Sequence, residues 1–259
     1  MSLNVLLIGD IVGKLGRRTV AAVLPDLRRE RSIDVVIANG ENTAGGRGLT
    51  PGTAQELLRA GIDIITSGNH IWENREVFEI LDDPSVPLVR PLNYPEGTPG
   101  RGVYKRNGLG VINAMGRTFM GISLEDPFRA LDAALEGMRD CRVIILDFHA
   151  EATSEKIAMG YYLDGRVSAV VGTHTHVPTS DTRILPHGTG YVSDLGMCGA
   201  LHSVLGMQTE RVIERFLTQL PNRFDPVDQG PAVFNSVLIT FDEDSGRATA
   251  IERVDSVVE

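Results

Sequence analysis

Residues 5–42 read VLLIGDIVGKLGRRTVAAVLPDLRRERSIDVVIANGEN: a short apolar run, an amphipathic stretch, then a second β-branched run. Val5 to Ile8 and Asp34 to Ala38 have the length and composition of buried strands, and Arg17 to Glu30 between them has helical periodicity. The rhythm continues along the chain. Ile62 to Thr66, Val143 to Phe148 and Val167 to Val171 are further strands, and Thr53 to Ala60, Asn74 to Leu81, Pro127 to Arg139 and Ser154 to Tyr162 are further helices. Pro51 and Gly52 after Thr50 fit a helix start. A β-α-β alternation of this kind predicts a layered α/β sheet with right-handed crossovers.

Two regions depart from that rhythm. Arg90 to Gly102, RPLNYPEGTPGRG, is a Pro- and Gly-rich loop, followed by a hairpin turn at Asn107-Gly108. Near the end, Ala232 to Phe241 and Ala248 to Val254 flank DEDSGR as a second hairpin. Antiparallel strands there suggest a second sheet packed on the first. Residues 1–259 contain no repeat, low-complexity tract or linker, so a single domain is expected.

With 42% hydrophobic and 23% charged residues, a chain of 259 can bury a full core. Its 34 acidic against 25 basic residues, a formal −9, argue against general nucleic-acid binding. They leave room for a small phosphorylated ligand, because a pocket can be locally cationic through bound metal. Cys141 and Cys198 are too few for a disulfide framework or a thiolate zinc site. MSLNVLLIGDIVGK lacks a charged leader region and a cleavage site, and no segment reaches the roughly 20 apolar residues of a bilayer span. A soluble, cytoplasmic protein is expected.

Each of the five buried strands is followed closely by side chains able to hold a metal. They are Asp10 in LLIGD, Glu41 and Asn42 in VVIANGEN, and Asn69 and His70 in IITSGNH. His149 in IILDFHAE, and His174 and His176 in VVGTHTHVP, complete the set. Ligands of open α/β sheets bind beyond the carboxyl ends of the strands, so these groups should converge on one rim. Taken singly, each Asp or Asn reads as a turn former and each His as a surface or satisfied core residue. Four of the six histidines at these strand ends favour the joint reading; His187 and His202 follow no comparable strand.

Two apparent phosphate motifs fail on spacing. Gly9, Gly13 and Gly16 are not spaced as a dinucleotide fingerprint, and GDIVGK is one residue short of a phosphate loop and is followed by Leu15. Arg28, Arg29 and Arg31 read as a solvated helix end.

Oxygen and imidazole donors without a thiolate suit iron, manganese or zinc. Seven candidate ligands exceed one tetrahedral site, so two ions are expected, with a bridging carboxylate. Two such ions can generate a hydroxide for attack on phosphorus and neutralise the phosphate, which predicts phosphoester hydrolysis. His70, beside Asn69, is placed to protonate the leaving alcohol or to help bind phosphate.

These residues resemble the calcineurin-like metallophosphoesterase superfamily, through Gly9-Asp10, Gly68-Asn69-His70, His149 and GTHTH at Gly172–His176. Two departures stand out: Val12 occupies the place of a metal histidine, and Gly40-Glu41-Asn42 replaces a second Gly-Asp motif. With DFHAEATSEK at Asp147–Lys156 and SDLGM at Ser193–Met197, they resemble the YmdB-like bacterial branch over essentially the whole chain. The resemblance implies a four-layer α-β-β-α sandwich, two packed mixed β-sheets flanked by helices. It also implies a dinuclear, often iron-containing centre that hydrolyses 2′,3′- or 3′,5′-cyclic nucleotides. Asp10, Asn42 and His176 would serve one metal, Asn69, His149 and His174 the other, and Glu41 would bridge; Asn42 would compensate for the histidine absent at Val12.

His70 matches the catalytic histidine of the superfamily. Thr43, Glu151, Ser154 and Lys156 lie beside ligands and could shape the substrate pocket, or serve in helix capping and surface pairing. The substrate expected is a cyclic nucleotide or another small phosphodiester, with no membrane partner, and homo-oligomerisation is compatible with the reading. Two alternatives stay open: a phosphomonoesterase or phosphoprotein phosphatase on the same metals, and a non-catalytic nucleotide-binding regulatory scaffold.

Overall fold

The computed structural model describes residues 2–259. The chain runs β1 (Ser2–Ile8), β2 (Asp10–Ile11), α1 (Gly13–Glu30), β3 (Val35–Asn39), α2 (Pro51–Arg59) and β4 (Ile64–Thr66). A 3-10 turn at Arg75–Val77 leads into α3 (Phe78–Leu81), followed by β5 (Val103–Arg106), β6 (Leu109–Met115), α4 (Pro127–Glu136) and β7 (Val143–His149). Then come α5 (Thr153–Leu163), β8 (Ala169–Thr173), β9 (Arg183–Ile184), β10 (Gly190–Val192), β11 (Met197–Ala200) and α6 (Thr209–Thr218). The last strands are β12 (Ala232–Phe234), β13 (Ser236–Asp242), β14 (Ala248–Arg253) and β15 (Ser256–Val258).

One sheet has the order β14-β13-β1-β3-β4, with β1, β3 and β4 parallel and β13 antiparallel to β1. The other has the order β5-β6-β7-β8-β10-β9, with β6, β7, β8 and β10 parallel and an antiparallel strand at either edge. Strand alternation sets the layers, because neighbouring side chains point to opposite faces. Val5 and Leu7 of β1 join Ile37 and Ile64 against Val111, Ile145 and Val171 of the facing sheet. Leu6 and Ile8 point the other way, onto Val20 and Leu24 of α1 and Leu57 of α2. On the far side, Leu146 and Phe148 of β7 meet Leu131 of α4 and Met159 and Leu163 of α5. The result is the expected α-β-β-α sandwich. Truncating a residue such as the fully buried Leu7 to Ala would cost about 2–5 kcal/mol.

The Asn107-Gly108 turn forms as the sequence predicts. Both residues take left-handed backbone (φ 52° and 78°), as a two-residue hairpin between β5 and β6 requires. The expected helix over 74–81 is shorter: Asn74 accepts from the Glu76 backbone amide, caps a 3-10 turn, and only Phe78–Leu81 is α-helical. The expected strand over 232–241 is broken at Asn235. Its carbonyl accepts from Gly9 N (3.1 Å) and its amide oxygen accepts from Met197 N (3.3 Å). That break sends β12 into a third sheet, of order β15-β12-β11-β2, which the sequence did not reveal. In it β2 pairs with β11, Asp10 opposite Met197, so Asp10 is held at the rim where β3, β4, β7 and β8 also end.

Candidate metal centre

His149 ends β7, and in the parallel register it lies opposite Thr173, which ends β8. Its Nδ1 is 2.9 Å from Thr173 Oγ1, and that hydroxyl donates to Asp147 Oδ1 at 2.7 Å. With its own proton committed, Thr173 can only accept, so Nδ1 of His149 keeps its proton and Nε2 is the nitrogen whose lone pair faces the cluster, open to a metal or to a second proton. The other two rim histidines are fixed in the same manner. His174 Nε2 lies 3.2 Å from Glu151 Oε2, which leaves the lone pair on Nδ1. His176 Nδ1 donates to Leu205 O at 3.1 Å, which leaves the lone pair on Nε2. An outer acceptor on each ring is the arrangement that orients imidazoles toward a cation.

The inner atoms converge. His149 Nε2 lies 2.9 Å from Asn69 Oδ1, 3.0 Å from His174 Nδ1 and 3.1 Å from Glu41 Oε1. Four electron-rich atoms at that range repel one another unless a positive charge sits among them. A second group adjoins the first. His176 Nε2 lies 3.2 Å from the Asn42 amide nitrogen and 3.8 Å from Asp10 Oδ1. Asp10 is fully buried; its Oδ2 accepts from His174 N at 3.1 Å, while Oδ1 has no hydrogen-bond partner among the described residues. Buried carboxylate oxygens without a partner are costly, so this one fits a metal ligand. Glu41 stands between the groups, its Oε1 toward His149 and 3.5 Å from the Asn42 amide nitrogen, its Oε2 accepting from His70 N at 2.9 Å.

The charges follow from these contacts. Burial works against ionising Glu41, but the charge and hydrogen bond of His149 and the pull of His70 outweigh it and bring it down to about 2. Burial likewise opposes the His149 imidazolium, yet Glu41, Asp10 and Asp147 push it up to about 9. In the metal-free protein a proton thus supplies the positive charge that the cluster demands. Burial, with His149 beside it, drops His174 to about 3, and burial raises Asp10 to about 6 against the attraction of His176 and His149. The oxygen and imidazole donors fit iron, manganese or zinc.

Close packing and strained backbone hold the ligands in place. A Cβ on Gly68 would lie 2.3 Å from the His149 ring, so only glycine lets Asn69 reach it. His174 and His176 both take left-handed backbone (φ 99° and 65°), which costs about 1–3 kcal/mol each for non-glycine residues. Val12 is buried and packs toward Gly199 and Gly206.

A cleft of about 460 Å³ opens over the cluster. Glu41, Asn42, His70, His174 and His176 form its floor, Arg47 and Arg215 contribute positive charge, and Val204, Leu205, Met207, Val212, Phe216 and Phe224 form an apolar wall. His70 is partly exposed there, its Nδ1 3.4 Å from Glu73. Asp10, Glu41, Asn42, Asn69, His149, His174 and His176 thus lie together at one rim. The four expected substrate contacts do not assemble. Thr43 is buried, its hydroxyl donating to Gly40 O at 2.8 Å. Lys156 is buried in an ion pair with Asp194. Glu151 reaches His174 rather than open cleft, and Ser154 is exposed on the first turn of α5. Sequence reasoning missed Asp147, Thr173, Asp194 and the α6 wall. Asp147 was detectable, since strand alternation puts it on the same side of β7 as His149.

A two-sheet sandwich whose strand ends gather carboxylate, amide and imidazole donors under a cleft is the architecture of a phosphoester hydrolase, the class for which its relatives are named. A structure described as a novel phosphatase, from Mycoplasma pneumoniae, superposes with a TM-score of 0.93 at 34% identity, covering 99% of this chain and 94% of that one. A hypothetical protein from Thermus thermophilus superposes with a TM-score of 0.92 at 46% identity, covering 98% and 99%. The 2′,3′-cyclic-nucleotide 2′-phosphodiesterase of Bacillus subtilis (strain 168) is 49% identical over 258 residues, 97% of this chain and 96% of the relative. Residues 6–254 match the YmdB-like protein family, and the chain belongs to it.

Proposed function

We propose that this enzyme is a metal-dependent phosphodiesterase that opens cyclic nucleotides, 2′,3′-cyclic ones foremost, at a centre of two metal ions. One observation carries the proposal: three rim imidazoles, each with its outer nitrogen engaged, aim their inner lone pairs at Glu41, Asn69, Asn42 and Asp10. Asn69, His149 and His174 would hold one ion, Asp10, Asn42 and His176 the other, with Glu41 between them. Iron or manganese is favoured by the donor set, with zinc also accommodated. Bound there, the ions would supply a nucleophile from water and neutralise charge on the phosphate.

The chain's own residues do the rest. His70, partly exposed at the cleft and fixed through its backbone by Glu41, protonates the leaving 2′-oxygen as the bond from phosphorus to that oxygen breaks. Arg47 faces the anionic substrate, and the Phe216 and Phe224 wall receives the nucleoside. The Bacillus subtilis relative's activity supports the 2′,3′-cyclic class. A second reading, phosphomonoester hydrolysis on the same residues, draws on the Mycoplasma pneumoniae structure described as a phosphatase.

The test is to purify the enzyme without chelator, measure its metals, and assay 2′,3′- and 3′,5′-cyclic AMP beside p-nitrophenyl phosphate. About two metal equivalents and preferred hydrolysis of a cyclic diester are expected. Undiminished turnover after complete metal removal defeats the proposal, and preference for the monoester favours the second reading.

A further inference from the structure

The segments Asp147–Lys156 and Ser193–Met197 meet in space, although neither Lys156 nor Asp194 faces the cleft. Lys156 Nζ lies 2.7 Å from Asp194 Oδ2, with the two side chains 3% and 2% exposed. The same oxygen accepts from the Thr175 hydroxyl at 2.8 Å and from Thr175 N at 3.2 Å. Asp194 Oδ1 accepts from Gly196 N at 2.8 Å, and Gly196 O in turn accepts from Asp10 N at 3.0 Å.

Thr175 is the residue between His174 and His176, both in left-handed backbone. One carboxylate therefore clamps the strained turn bearing two candidate ligands and, through Gly196, the strand bearing a third. Four donors converge on it, which requires both oxygens of an ionised carboxylate. Burying that charge is tolerable only beside a countercharge, which Lys156 supplies.

We propose that Lys156 and Asp194 form a buried positioning pair that sets the affinity of the centre for metal by holding His174, His176 and Asp10 in ligating geometry. The proposal rests on the metal-centre reading above, and it gives Lys156 a role away from substrate.

The test is calorimetric titration of chelator-treated protein with Mn²⁺ alone, which needs no substrate. Asp194→Asn by itself would strand a buried ammonium, so the decisive variant is Lys156→Met combined with Asp194→Asn. It should bind Mn²⁺ at least about ten-fold more weakly while its metal-free form remains folded at the titration temperature, and turnover should recover at saturating Mn²⁺. Thr175→Val removes one hydroxyl contact without disturbing a charge, should weaken binding about three-fold, and decides the matter if the double variant does not fold. Titrations of both variants that superimpose on wild type overturn the positioning role. Wild-type protein that takes up no Mn²⁺ overturns the metal-centre reading itself, so the two failures are distinguishable.

Discussion

Thr173 Oγ1 accepts from His149 Nδ1 at 2.9 Å across the last register pair of β7 and β8, and so determines which nitrogen of that buried imidazole faces the cluster. Thr173 can do this because Asp147 takes its proton, and Asp147 is also engaged by Thr66 and Asn39. Thr173→Val keeps the shape of the side chain and removes the acceptor, leaving the ring free to carry its proton on Nε2. Metal affinity should fall about 10–100-fold with the fold intact. Titration of chelated protein followed by circular dichroism checks both parts; unchanged affinity would show that another contact fixes the tautomer.

His70 offers the cluster its backbone amide, not its ring, which is 25% exposed at the cleft. Removing the ring should leave the metals bound. His70→Ala is expected to lower turnover of a cyclic nucleotide by about 10²–10⁴-fold, because the leaving alkoxide loses its proton donor. With bis-p-nitrophenyl phosphate, whose leaving group needs no proton, the loss should be far smaller. Loss of metal in this variant, or equal losses on both substrates, contradicts the acid role.

The sequence made the seven ligand candidates legible because strand ends are local features: an apolar run, then Asp, Glu, Asn or His, with a Gly just before it at every strand but that of His149. The βα rhythm of residues 5–42 likewise set the layering through simple alternation on β1. What stayed hidden was long-range. Asp194 lies 38 residues from Lys156 and 19 from Thr175, and no periodicity connects them. The third sheet depends on Asn235 interrupting an otherwise continuous β-branched run, an effect of its bonds to Gly9 and Met197 rather than of propensity. Thr43 and Lys156 adjoin ligand candidates in the chain, but adjacency says nothing about which way a side chain turns, and both turn inward.

Proton release should accompany metal binding, with a predictable sign. In metal-free protein His149 is raised to about 9 and His174 lowered to about 3, so near neutral pH the first carries an extra proton and the second does not. Glu41, lowered to about 2, stays ionised. Metal must displace the His149 proton, so between pH 6 and 9 about one proton should leave per cluster filled, with apparent affinity rising as pH rises. Below about 6 a second proton, from Asp10, should join it. The raised His149 value also stabilises the metal-free fold below its unfolded value near 6.5, a contribution lost as pH climbs through 9. Calorimetry in buffers of different ionisation enthalpy counts the protons; no buffer dependence at pH 7 would mean that His149 is already neutral.

Phe216 stands 74% exposed on α6, yet it lines the cleft above the metal candidates together with Arg47. An aromatic ring left in water beside a polar floor is suited to stacking on a nucleobase, worth about 1–3 kcal/mol per base by alanine substitution. Phe216→Ala should therefore raise KM for 2′,3′-cyclic AMP about ten-fold, a loss near the lower end of that range, with little change in kcat. The 2′,3′-cyclic phosphate of a methyl riboside has no base to stack, and its KM should be unaffected by the same substitution. Arg47→Ala is expected to raise KM for both substrates alike, since both present the same phosphate. Equal effects of Phe216→Ala on the two substrates would assign the ring to the architecture of α6 instead of to recognition of the base.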